Sequence, residues 1–228
     1  MQQSTGHTIK AFDQDIERLR ALISQMGGLA EHAIEEAMRC LTQRDVEAAA
    51  AVVQNDKKLD ALEIETERRA VQLIALRAPM ASDLRDVVAA LKISGVVERI
   101  GDYAKNIAKR VPLVENAKIE PLSLLPEMAR ICVEMVHNVL DAFVERDAEA
   151  AVRVCERDSA VDDFYDSIFR TLLTHMMENP QNIGQSAHLL FVAKNLERIG
   201  DHATNIAEMV YYAATGEYMT DRPGKSAR

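Results

Sequence analysis

From Thr8 to Gln43, apolar side chains return every third or fourth residue: Phe12, Ile16, Leu19, Ile23, Met26, Ala30, Ala33, Ala37 and Leu41. That spacing puts them on one side of a 3.6-residue helix and predicts a long amphipathic helix. Gly27-Gly28 interrupts the stripe, where it either bends the helix or lets another helix come close. Asp45 reads as the N-cap of a second helix, with Glu47 in its first turn, running to about Arg77. Ala78-Pro79 ends it, because the residue before a proline disfavours the helical region. Ser82 then caps a third helix to about Arg110, and Val111-Pro112 stops it. The stretch from Pro112 to Pro126 carries three prolines and reads as a linker and the start of helix four. That helix ends near Glu145, and Asp147 caps a fifth as Asp45 capped the second. Asn179-Pro180 ends the fifth, and a sixth runs from Ile183 to about Ala214, with Gly216 as its stop.

The second half copies the first. Glu98-Arg99-Ile100-Gly101-Asp102-Tyr103-Ala104-Lys105-Asn106-Ile107-Ala108 returns as Glu197-Arg198-Ile199-Gly200-Asp201-His202-Ala203-Thr204-Asn205-Ile206-Ala207. Upstream, Arg44 to Ala49 matches Arg146 to Ala151 at an offset of 102, which sets Asp56 on Asp158 and Asp60 on Asp162. The offset is 99 at Glu98, so three residues drop out near the proline turns. A repeat of about a hundred residues fits a common domain size. The expected fold is therefore all-α: two tandem, pseudo-symmetric three-helix bundles built from six long antiparallel helices. The expected division is 8–111 for the first repeat, 112–126 for the linker and the start of helix four, 127–215 for the second repeat, and 216–228 for a disordered tail.

Composition agrees and narrows the function classes. Hydrophobic residues are 48% and aromatics 4%, with no Trp, as in an all-helical globular chain. A formal charge of −9 argues against a nucleic-acid binder, which needs excess Lys and Arg. Cys40, Cys132 and Cys155 have no paired spacing and do not match between the halves, so they read as reduced thiols of a cytosolic protein. Met1 to Lys10 lacks the apolar run of a signal peptide, and no apolar run is long enough to span a bilayer.

The duplicated acids carry the candidate chemistry. Glu98, Asp102 and Asn106 lie at i, i+4 and i+8, drifting only about 40° per step, so they share one helix face. Glu197, Asp201 and Asn205 repeat this, and Asp56/Asp60 and Asp158/Asp162 are again i, i+4 pairs on the preceding helices. A lone acidic i, i+4 pair means little, since 36 acids in 228 residues give about five or six by chance. Such pairs usually form a solvated face or meet nearby bases, here Lys57, Lys58, Arg99, Lys105, Arg157, Lys194 and Arg198. Duplication changes the weighting. Like charges at i, i+4 cost a helix about 0.2–0.5 kcal/mol per pair. Yet Lys57, Lys58 and Lys105 become Ser159, Ala160 and Thr204 while the acids persist. A cation between the pairs would remove the repulsion, and an all-oxygen set suits hard ions such as Fe, Mn, Mg or Ca. Gly101 and Gly200 inside the motif cost about 1 kcal/mol each against Ala, which points to close approach by a helix or ligand.

E-R-I-G-D-x-A-x-N-I-A closing each three-helix repeat, with D-x-x-x-D on the helix before, resembles the PhoU family, from about Thr8 to Gly216. The resemblance implies a non-enzymatic cytoplasmic regulator of phosphate uptake that forms a homodimer. It would couple the phosphate ABC transporter ATPase to the phosphate sensor histidine kinase and repress the starvation response when phosphate is plentiful. It also implies multinuclear metal clusters, of iron or another oxygen-preferring ion, on Asp56, Asp60, Glu98 and Asp102 and on Asp158, Asp162, Glu197 and Asp201. The alternatives are a helical scaffold whose acids bind metal or nothing, and a carboxylate-bridged di-iron enzyme. The di-iron chemistry wants two Glu-x-x-His motifs, and the chain offers Glu134-Met135-Val136-His137 alone.

Overall fold

The computed structural model describes residues 3–114 and 123–220, with side chains from residue 12 onward. Eight helices result: α1 (Gln3–Gln43), α2 (Val46–Asn55), α3 (Lys57–Arg77), α4 (Ser82–Ala108), the single turn α5 (Val111–Val114), α6 (Leu124–Glu145), α7 (Ala148–Glu178) and α8 (Ile183–Thr215). No strand occurs among the described residues. The apolar stripe of α1 is the buried one, with Leu19, Ile23, Met26, Ala30, Ala37 and Leu41 all inaccessible or nearly so.

The caps form where short polar side chains precede apolar runs. Asp45 accepts the Ala48 N–H at 2.9 Å, and Asp147 accepts the Ala150 N–H at 2.9 Å, each satisfying one orphan donor of a helix start. Gly216 ends α8 at φ 80°, a left-handed position that glycine takes without strain.

The structure departs from the sequence reading in four places. The single helix expected from Asp45 to Arg77 is two, α2 and α3, because the chain tightens at Asp56. There the Asp56 carbonyl takes the Leu59 amide at 2.8 Å, a three-residue bond, as well as that of Asp60 at 3.2 Å. Ser82 is not a cap but the first residue of α4. The chain turns through Ala78 (φ 46°) and Ala81 (φ 49°), and no side chain caps the start. Val111-Pro112 does not stop the chain at once, since a proline in a first turn lacks only an N–H that has no partner anyway. Part of the expected tail is ordered: Tyr218 stacks on Tyr212 at 4.7 Å, and Met219 packs on the core. The rest of that tail, 221–228, and 115–122 of the expected linker lie outside the described residues.

The two repeats face each other. Equivalent helices pair across the molecule, α1 with α6 and α4 with α8. Arg110, after α4, meets His188 and Phe191 early in α8, while Arg85, early in α4, lies against Gly216 after α8. Helices α4 and α8 therefore run antiparallel. At their crossing Tyr103 stacks on His202 with ring centroids 5.3 Å apart. These two are equivalent residues, and a residue meets its own equivalent only near a local twofold axis. Apolar side chains from both repeats merge into one hydrophobic cluster around that axis. An ion pair also crosses it: Asp86 of α4, 8% exposed, takes Arg20 of α1 at 3.2 Å and Arg146 of the α6–α7 turn at 3.0 Å.

Gly27 now has its reason. A Cβ there would collide with Leu140 Cδ1 of α6, so the glycine lets the two first helices close up, whereas a Cβ on Gly28 meets open space. Gly28→Ala is expected to stabilise the protein by about 0.5–1 kcal/mol through helix propensity. Gly27→Val is expected to destabilise it by about 1–3 kcal/mol through overpacking. Urea unfolding midpoints at equal m-value check both, and equal effects at the two sites would refute the packing assignment.

Candidate carboxylate sites

Each site forms where the second and third helices of a repeat come together at a glycine. In the first repeat a Cβ on Gly101 of α4 would collide with Leu59 Cδ2 of α3 and lie 3.5 Å from Asp56 Oδ1. In the second, a Cβ on Gly200 of α8 would lie 3.3 Å from both Asp158 Oδ1 and Val161 Cγ1 of α7. The glycines thus let a carboxylate of one helix approach the backbone of the next. All eight sequence-predicted acids are half-buried rather than solvated.

The first site is assembled and already holds a cation, Lys105. Its ammonium lies 2.5 Å from Asp56 Oδ2 and 2.5 Å from Asp102 Oδ1, joining α3 to α4. The Asp56 side chain is only 7% exposed. Burial works against the ammonium, but the hydrogen bonds from Asp102 and Asp56 overcome it and hold its pKa above the ordinary lysine range. Glu98 shares the patch without a cation of its own. Burial, then the charges of Asp102, Glu63, Asp60 and Asp56, push its carboxyl up to about 7. Those four acids come from both helices, so the predicted set does converge here.

Glu63 belongs to this group and the sequence reading missed it. Burial, then Glu67 and Asp60, raise its carboxyl, with Arg99 opposing. The signal was present: Asp56, Asp60 and Glu63 fall at i, i+4 and i+7 on one helix face. Its counterpart at an offset of 102 is Tyr165, so a search for duplicated acids discards it.

The second site is arranged differently. Asp158 lies against α8 at Gly200, beside Asp201, and Asp162 follows one turn along α7. Thr204 stands where Lys105 stood, and its hydroxyl donates back to the Asp201 carbonyl at 2.7 Å. The Lys194 ammonium touches Glu197 Oε2 outside hydrogen-bond geometry, which leaves that buried oxygen without a donor. The same ammonium lies 5.1 Å from the Tyr165 ring centroid.

As a metal fit, the two sites differ. The donors are oxygen throughout, as hard cations require, and the second site has a buried carboxylate oxygen without a hydrogen bond. In the first site the space between Asp56 and Asp102 belongs to an ammonium. Among the described residues no three His, Cys, Asp or Glu side chains stand ready as a metal cradle. The di-iron signature does not form: Glu134 pairs with Arg130 and Arg157, and His137, 58% exposed, lies beside Glu31 and Asp141. The three cysteines are free and buried, and burial, then the charge of Asp158, pushes the Cys132 thiol well up.

A tandem pair of three-helix bundles, with acids of the second and third helices meeting at a glycine, defines a distinct class of helical protein. Residues 23–111 and 125–210 each match the PhoU domain. The chain is 57% identical to the phosphate-specific transport system accessory protein PhoU homolog of Zymomonas mobilis, over 95% of this chain and 92% of that one. It is 47% identical to the homolog of that name from Caulobacter vibrioides, covering 97% of both. The crystal structure of PhoU from Pseudomonas aeruginosa superimposes with a TM-score of 0.86 at 34% identity, over 90% of this chain and all of that one. The chain belongs to the PhoU family.

The Glu98 carboxyl supplies a test by pH. Its folded pKa of about 7 lies above the ordinary 4.5, so between those values the folded state holds a proton that the unfolded state releases. Stability from this group therefore falls as pH rises from about 4.5 to 7. Glu98→Gln is expected to remove that slope. Relative to the native protein, the variant gains unfolding midpoint at pH 8 over pH 5, in chelated buffer. An equal midpoint difference at both pH values would refute the assignment.

Proposed function

We propose that this chain regulates phosphate uptake as an accessory to a phosphate-specific transport system. The observation that carries the reading is the pair of PhoU domains, spanning most of a chain that aligns almost end to end with proteins of that name. The partners of this reading are the transporter ATPase and the phosphate sensor histidine kinase, at the cytoplasmic face of the membrane, with repression of the starvation response when phosphate is plentiful. The protein acts by binding, as a homodimer, and performs no chemistry of its own. No helix among the described residues is long and apolar enough to cross a membrane, so membrane proximity comes through the partners. The charge of −9 adds long-range attraction to basic partner surfaces, an effect that salt weakens.

The duplicated acids serve this role as a cation site. At the second patch, Asp158, Asp162, Glu197 and Asp201 would supply carboxylate oxygens to a hard divalent ion. When bound, such an ion offsets the mutual repulsion of the acids and ties α7 to α8. The support is the donor chemistry together with the buried Glu197 oxygen that no hydrogen bond satisfies.

Deleting the gene should leave the phosphate-starvation response switched on in phosphate-rich medium, read as reporter activity from a starvation promoter. Complementation with the intact chain should restore repression. Normal repression in the deletion strain would sink the regulatory reading.

A further inference from the structure

The two acid patches are copies that have diverged at the positions that matter for a cation. An offset of 99 sets Thr204 where Lys105 stands, and an offset of 102 sets Val161 where Leu59 stands. The backbone diverges too: the chain tightens at Asp56 and splits α2 from α3, whereas α7 runs unbroken through Asp158. The larger Leu59 fills the space over Gly101, and the tightened turn brings Asp56 to the Lys105 ammonium.

We infer that Lys105 is the resident cation of the first patch and closes it to divalent metal ions, so that the two repeats do not share one metal chemistry. A metal joining Asp56 to Asp102 would have to take the position that the ammonium holds at 2.5 Å from each. Lys105 is tethered to α4 less than one turn beyond Asp102, so it competes as an intramolecular ligand at high effective concentration. Once displaced it would stay within reach of the patch and repel a dication there. Its side chain is 22% exposed and that of Asp56 7%, so water screens this competition little. The second patch has no lysine at the corresponding place. Thr204 is uncharged and its hydroxyl turns back onto its own helix at 2.7 Å. Lys194 approaches Glu197 from the preceding turn and sits near Tyr165, away from the position of Lys105. One function follows for the duplicated motif in each half: an internal ion pair that fixes α3 to α4, and an exchangeable cation site between α7 and α8. This rests on the proposal above that the second acid patch takes a divalent ion.

The test is Mn(II) titration of the full chain, stripped with chelator, with free Mn(II) read by electron paramagnetic resonance. The native protein should bind Mn(II), and Asp158→Asn with Asp201→Asn should weaken that binding at least tenfold. Adding Lys105→Thr to that double variant should restore binding, now at the first patch. Lys105→Met, which keeps length without charge, should do the same, so that one misfolded variant does not decide the matter. Circular dichroism confirms the fold of each. Thr204→Lys in the native background should abolish the original binding. If the double variant still binds as the native protein does, the first patch takes metal with Lys105 in place and the inference falls, while the metal reading stands. If both Lys105 variants in the double-variant background fold and bind nothing, the inference also falls. If no form binds Mn(II), the metal reading falls and takes the inference with it.

Discussion

Carboxylates held on adjoining faces of two half-buried helices repel one another, and that repulsion sets the terms for the rest of the molecule. Two like charges about 4 Å apart cost about 4 kcal/mol at an effective dielectric of about 20. A single helix pair cannot leave that unanswered within the marginal stability of a domain. The first repeat answers twice. Lys105 neutralises the Asp56–Asp102 pair, and Glu98, which has no cation of its own, holds on to its proton up to about pH 7. The glycines belong to the same constraint. Gly101 and Gly200 bring the helix axes close enough for acids on one to meet the other, which concentrates the charge. Without them the acids would sit in water, and the same sequence pattern would be an ordinary solvated face.

Much of the fold was legible because its ends are chemically marked. Asp45, Asp147 and Gly216 do locally what their side chains or backbone freedom dictate, whatever the tertiary setting. The failures lie where tertiary packing or a turn overrides the local rule. Ser82 is a good cap by type, but the left-handed alanines at 78 and 81 deliver it already inside the helix. The break at Asp56 has no sequence signature, because Asp56 keeps helical angles and only its hydrogen bonding tightens. Its cause is the crowded meeting with α4, which no local pattern contains.

The site was legible in its acids and illegible in its cation. Duplication picked out the eight carboxylates because repulsion gives them no local reason to persist. The same filter discarded Lys105, since a base that fails to repeat reads as incidental. It discarded Glu63 for the same reason, its partner being Tyr165. A repeat comparison finds what two halves still share. It is blind to what each half has added since, and here the additions decide the electrostatics. The pairing of Lys105 with both acids is the ordinary base-pairing explanation, correct for one repeat and absent at the matching place in the other.

The third helix of each repeat carries two interfaces at once. Asp102 and Asp201 face the acid patches, while the very next residues, Tyr103 and His202, stack on each other across the pseudo-twofold axis. Burial, then the Arg99 guanidinium, holds His202 below its ordinary pKa, with Asp201 pulling the other way. Arg198 of one repeat lies 5.8 Å from the Tyr103 ring of the other. The charge at each patch therefore stands one residue from the contact that sets how the two bundles meet. Nearness alone is not coupling, which requires two arrangements of that contact with different charge at the patch. The helices meet that requirement only if they shift as rigid bodies. The leverage for such a shift lies in the third helices, because α4 and α8 pack on each other and on every other long helix of their own repeats.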